Sequence, residues 1–169
     1  MKKNYTRFIV YAAVIAALYA VLTHLQNILL PGSASMAIQM RISEALCVLA
    51  FFTPAAIPGL SIGCLVFNLT FAGTLPLDFL VGTLATYLAA QGMWLTRNRT
   101  VKGYPLLGML LPALTNAILV GWELSVYIGG GFWLNAVYVA IGEAVVLLML
   151  GTALYYGLKR RSLAEKLFS

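Results

Sequence analysis

From Phe8 to Met40 the chain carries no Asp, Glu, Lys or Arg. Such a run leaves few architectures open, because about 20 predominantly apolar residues already cross the hydrocarbon of a bilayer. Further uncharged stretches follow, and 62% of the 169 residues are hydrophobic while 9% are charged. That balance lies far outside the soluble range. We therefore expect an all-α integral membrane protein, with residues 1–169 forming a single transmembrane domain. Lys2, Lys3 and Arg7 resemble the basic flank of a signal peptide. The apolar run that follows is much longer than the ~7–15 residues of such a signal, so it is expected to be retained as a first span.

Six spans are expected, at about Phe8–Leu29, Met36–Phe52, Ile57–Phe71, Leu77–Leu95, Tyr104–Ile128 and Trp133–Leu158. Pro31-Gly32, Thr53-Pro54, the segment Gly73 to Pro76 and Gly129-Gly130-Gly131 punctuate them. The second and third spans are short, so a re-entrant pair is an alternative there. The basic residues support six. Lys2, Lys3 and Arg7 precede the first span, Arg97, Arg99 and Lys102 lie between the fourth and fifth, and Lys159, Arg160, Arg161 and Lys166 follow the sixth. With six spans all three groups face the cytoplasm, as the positive-inside rule requires, and both termini are cytoplasmic. The net charge of +6 is thereby explained by topology, without a nucleic-acid partner. Cys47 and Cys64 read as small buried hydrophobes, since two such thiols make neither a disulfide framework nor a metal site.

The acids are placed differently from the bases. Glu44, Asp78, Glu123 and Glu143 all fall within spans. Counting inward from the outer end of each span at 1.5 Å per residue puts Asp78 roughly 3 Å deep, Glu123 about 8 Å, Glu44 about 12 Å and Glu143 about 15 Å. Arg41 occupies the same outer half. A charge at mid-bilayer costs roughly 2.5–3.5 kcal/mol on insertion scales, so intramembrane ionisable residues point to function. Arg41 and Glu44, three apart, could instead simply neutralise one another. Asn116 and Glu123 are seven apart and share a helix face, with Pro112 four residues earlier able to loosen the backbone. Asn68, Trp133 and Tyr138 lie at a similar level. For the aromatics an interfacial belt is the alternative role, and for Asn68 an interhelical hydrogen bond.

The first span carries small residues in two stripes, Ala12-Ala16-Ala20 and Ala13-Ala17. Such stripes let helix backbones approach closely, either inside the bundle or against a partner. Gly59 and Gly63 make a weaker pattern of the same kind.

Taken together, the segments Ile38 to Leu46, Leu77 to Thr86 and Leu111 to Ala117 are similar to the QueT family. The whole chain resembles the substrate-capture subunit (S-component) of an energy-coupling-factor (ECF) transporter. The resemblance implies uptake of a queuosine precursor, a 7-deazaguanine or queuine. It also implies a bacterial plasma-membrane location, a transmembrane scaffold docked on the Ala stripe, and two cytoplasmic ATPases. The chain has no nucleotide-binding loop of its own, so ATP belongs to those partners and no cofactor or metal is expected here.

The chemistry of the polar residues agrees with such a guest. A guanine-like edge presents adjacent N–H donors that one carboxylate accepts, and its carbonyl needs a donor. Glu44 with Asp78 or Glu143 is expected at the base edge, and Gln39, Arg41, Asn68 and Asn116 are expected as donors. Gln39 and Arg41 are two apart, so a regular helix would aim them differently. Glu123, Trp133 and Tyr138 complete the expected site. Four acids against one Arg suit a cationic substituent such as an aminomethyl group. The rival classes are an S-component for another vitamin-like molecule, a solitary cation- or proton-coupled transporter, and an intramembrane enzyme. The last lacks a nucleophile paired with a base.

Overall fold

The computed structural model describes residues 2–31, 33, 40–71, 73–160 and 167. Its elements are α1 (Lys2–Leu29), a 3₁₀ helix (Ile42–Phe51), α2 (Ala56–Thr70), α3 (Asp78–Thr96), α4 (Leu106–Tyr127) and α5 (Phe132–Val146). A π-helical turn (Leu147–Gly151) then leads into α6 (Thr152–Arg160). The last three form one continuous rod, so the described residues make six rods. Among the described residues three helices are long and apolar enough to cross a membrane: Tyr5–Leu29, Leu106–Tyr127 and Phe132–Arg160. The bundle is inside-out relative to a soluble protein. Ile9, Val14, Leu18 and Val21 face outward, whereas Arg41, Glu44, Asp78, Glu123 and Glu143 are buried.

Specific contacts set the direction of each rod. Tyr19 meets Glu44 and Thr23 meets Ser43, so the 3₁₀ helix runs antiparallel to α1. A Cβ on Gly59 would lie 2.8 Å from the Ala12 carbonyl, and one on Gly63 2.8 Å from that of Ala16. Hence α1 and α2 run parallel with their backbones almost touching. Asn68 reaches Asp78 across the α2–α3 turn. Leu111 packs on Gly92, and Thr96 lies against Gly108, making α3 and α4 antiparallel. At the far end, Lys159 donates to the Gly103 carbonyl at 3.4 Å, and Tyr104 shares a hydrogen bond with Thr152 at 2.5 Å. The basic 97–105 connection and the end of α6 therefore meet at one end of the bundle.

The second rod departs from the expected α-helical span. Only its portion from Met40 onward is described, and from Ile42 it winds as a 3₁₀ helix. Ten residues at about 2.0 Å each extend roughly 20 Å, about a third further than an α-helix of the same length. It runs from the Asp78 end to the aromatic cluster of Phe51, Phe52 and Tyr155, at the opposite end of the bundle. Runs this long are uncommon, and tertiary contact sustains this one. The helix touches every other helix, and Ser43, Ala45, Cys47 and Ala50 keep it narrow enough for the centre of the bundle. The sixth rod also departs from a uniform helix, at the π-helical turn. Pro112 does not interrupt α4, which is continuous from Leu106 to Tyr127.

The turn between α4 and α5 is the expected one. Gly129, Gly130 and Gly131 all have positive φ, at 89°, 81° and 83°. A Cβ on Gly131 would meet nothing within 4 Å, so its role is purely conformational. A Gly131→Ala variant is expected to lose about 2 kcal/mol of stability, visible as a lowered thermal midpoint in detergent.

Candidate functional site

Along α1, Tyr19, Thr23 and Gln26 lie four and three residues apart, so they form one stripe. All three are buried. Each bonds to the chain around the start of the 3₁₀ helix. The Tyr19 hydroxyl donates to Glu44 Oε1, and the Thr23 hydroxyl bonds Ser43 Oγ at 2.7 Å. Gln26 Nε2 donates to the Met40 carbonyl at 2.5 Å and to Ser33 Oγ at 2.9 Å, while its Oε1 accepts from the Ile42 N–H at 2.7 Å. Polar residues with this spacing on an otherwise apolar helix were the available sequence signal, obscured by the more conspicuous alanines.

Arg41 enters from extended backbone (φ −80°, ψ 109°) just before the 3₁₀ helix. Its guanidinium lies 3.5 Å from Asp78 Oδ2 at the start of α3, 5.7 Å from the centre of the Phe67 ring and 4.0 Å from Cys64 Sγ. Arg41 thus pairs with Asp78 on another helix rather than with Glu44, its sequence neighbour. Asn68 Nδ2 donates to the Asp78 backbone carbonyl at 2.7 Å. Gly82 permits this approach: a Cβ there would fall 2.9 Å from Asn68 Nδ2 and 3.1 Å from Asp78 Oδ1. Phe67 stacks on Phe71 at 5.3 Å and meets the edge of His24 at 5.0 Å, giving an aromatic wall beside Arg41.

The four acids differ in how they are satisfied. Glu44 accepts from Tyr19 and, at 3.1 Å, from the Cys47 thiol, so both its oxygens are engaged. Asp78 has one oxygen on Arg41. Glu143 lies in electrostatic range of Glu44 and Arg41, with the Asn116 side chain close by. Glu123 lies in range of Asp78 and Arg41. Among the described residues, both oxygens of Glu123, Oε2 of Glu143, Oδ1 of Asp78 and Oδ1 of Asn68 are buried without a hydrogen-bond partner. A buried carboxylate without a partner costs several kcal/mol when ionised, so such groups either carry a proton or await a donor.

The expected site residues are thus sorted by their positions. Arg41, Glu44, Asn68, Asp78, Asn116, Glu123 and Glu143 are buried and linked by bonds or close electrostatics. Trp133 is 79% exposed and packs edge-on to Phe132. It points away from the cluster, as an interfacial aromatic does. Tyr138 is half-buried, and Gln39 lies outside the described residues. Asn135 donates to the Gly129 carbonyl at 2.7 Å and closes the α4–α5 turn. The alanine stripes also separate. Ala12 and Ala16 are buried against Gly59 and Gly63 of α2, so they serve internal packing. Ala13 and Ala17 are exposed, and Ala20 is half-buried. A groove of about 710 Å³ opens between the end of α1, the start of the 3₁₀ helix and the π-helical turn, along Gln26, Leu29, Met40, Ile42, Val146 and Met149. Among the described residues, none of those expected in the site lines it.

A family model described as QueT transporter matches residues 9–160. The chain belongs to the QueT transporter family. This agrees with the resemblance carried by the three sequence segments, and the family is one of transporters rather than of enzymes. Over 89 residues it is 39% identical to the queuosine precursor transporter QueT of Lactococcus lactis subsp. cremoris (strain MG1363). That match covers 51% of this chain and 48% of the relative, so the chain is matched to about half the length of that protein. No solved structure matches the chain.

Proposed function

We propose that this QueT-family chain is the substrate-capture subunit of an ECF-type importer. It spans the bacterial plasma membrane six times as a single domain, with both termini cytoplasmic. Its guest is a queuosine precursor, a 7-deazaguanine carrying an aminomethyl group or queuine. The relative's activity and the family assignment support the substrate class. What carries the reading at the level of atoms is the set of buried acceptor oxygens on Glu123, Glu143, Asp78 and Asn68 with nothing donating to them.

These acceptors suit a guest rich in N–H donors. Glu44 is occupied by Tyr19 and Cys47 and Asp78 by Arg41, so the base edge falls to Glu123 and Glu143. Arg41, held by Asp78, supplies the donor for the guest's carbonyl. Phe67 offers the flat apolar wall that a planar base needs. In this conformation Glu123 is fully buried, so admission of the guest requires the outer ends of the helices to part. The loaded subunit then docks on a transmembrane scaffold through the exposed Ala13–Ala17 face of α1, and two partner ATPases supply the work.

Native mass spectrometry of the purified protein should reveal a bound deazaguanine. Titration calorimetry near pH 7 should show the aminomethyl compound binding at least about tenfold tighter than the analogue lacking the amine, the size of one charge-assisted hydrogen bond. Glu123→Gln should bring the two affinities close together. Equal affinities for the two compounds in the unmodified protein would refute the acidic-cup reading. Co-purification of a different small molecule would redirect it to another substrate.

A further inference from the structure

We propose that Gln26 is a positioning residue that aims Arg41, so that the site's guanidinium is held in place by α1. This rests on the functional reading above only in making Arg41 a ligand contact. The geometry itself is independent of that reading.

Arg41 sits in extended backbone at the mouth of the 3₁₀ helix, where its carbonyl accepts the first helical hydrogen bond, from the Glu44 N–H at 3.0 Å. On one side its neighbour Met40 offers a carbonyl, and on the other Ile42 offers an N–H. The primary amide of Gln26 takes both, donating to the first at 2.5 Å and accepting from the second at 2.7 Å. It therefore grips the two residues flanking Arg41 much as a neighbouring strand would. Its second amide proton reaches Ser33 Oγ, and the Met40 N–H returns to the Ser33 carbonyl at 3.0 Å. The amide is spent on these partners, and it is only 5% exposed. A side chain that uses both ends of its amide on the main chain around one arginine constrains where that arginine points.

The consequence concerns aim rather than fold. Tyr19 and Thr23 still fasten the 3₁₀ helix to α1 when Gln26 is replaced, so the rods stay assembled. What loosens is the Met40–Ile42 backbone, and with it the 3.5 Å approach of Arg41 to Asp78. Misplacing a contact group by about 1 Å lowers performance by up to roughly 100-fold in well-ordered sites.

Gln26→Met keeps the length and removes every hydrogen bond. Two measurements on the full-length protein in detergent test the proposal. The first needs no ligand: the ¹⁵N side-chain resonance of Arg41, identified by its disappearance in Arg41→Gln, should shift or broaden in Gln26→Met while those of the other arginines stay put. The second is a double-mutant cycle read by calorimetry with 7-aminomethyl-7-deazaguanine. Gln26→Met alone should weaken binding about tenfold or more, yet have no further effect in an Arg41→Gln background, because its influence passes through Arg41. An unmoved Arg41 resonance would overturn the proposal, and so would additive losses in the cycle. If the unmodified protein does not bind the compound at all, the substrate assignment fails, and the positioning role is decided by the resonance alone.

Discussion

An Arg41→Met variant is expected to lose deazaguanine binding by about 100-fold or more, the usual consequence of truncating one partner in a buried charged contact. It should also lose about 3–5 kcal/mol of stability, because Asp78 is left as an uncompensated buried carboxylate. Asp78 is 3% exposed, and its Oδ1 already lacks a donor. The second half of the expectation separates structure from function. Adding Asp78→Asn to Arg41→Met removes the stranded charge, and buried ion pairs replaced on both sides by neutral groups are often neutral in stability. The double variant should therefore regain most of its thermal midpoint while remaining unable to bind. If it binds like the unmodified protein, the Arg41–Asp78 pair is only a structural tie and the guest's carbonyl is met elsewhere.

The second large effect is expected at the α1–α2 contact. In Gly63→Leu the new Cβ would lie 2.7 Å from the Tyr19 Cβ and 2.8 Å from the Ala16 carbonyl oxygen. Neither atom is the end of a flexible chain, so α1 itself must move. Overpacking of this kind costs about 1–3 kcal/mol or more. Here it also pulls Tyr19 from Glu44, so substrate affinity should fall together with the thermal midpoint. Ala17→Leu, on the opposite, exposed face of α1, should leave both the midpoint and the affinity unchanged. It should instead abolish uptake by cells and co-purification with the ATPases. Loss of affinity in Ala17→Leu, or an unperturbed Gly63→Leu, would reverse the division of labour between the two faces of α1.

Much of this was legible before any coordinates. Hydropathy placed the rods within a few residues, because a lipid solvent demands long apolar helices. Gly129 to Gly131 announced a turn that only glycine accommodates at three successive positive φ values. Arg41, Glu44, Asp78, Glu123 and Glu143, expected within the spans, are buried in the bundle. A charge in an apolar span is too costly to be dispersed, so the acids and Arg41 had reason to converge.

What the linear order could not settle was who partners whom. Arg41 and Glu44 are three residues apart, yet each finds its partner on another helix: Asp78 for the one, Tyr19 for the other. That choice depends on Arg41 standing in extended backbone just ahead of the 3₁₀ helix that carries Glu44, and no local periodicity announced it. The two alanine stripes were equivalent as sequence. Only the position of Gly59 and Gly63 on α2 turned Ala12 and Ala16 inward and left Ala13 and Ala17 outside. Composition and spacing thus determined that this chain is a membrane bundle with a polar interior. Which carboxylates are satisfied and which stay open was decided by packing alone, because a hydrogen bond forms between atoms that the fold brings within 3 Å, however far apart they lie along the chain.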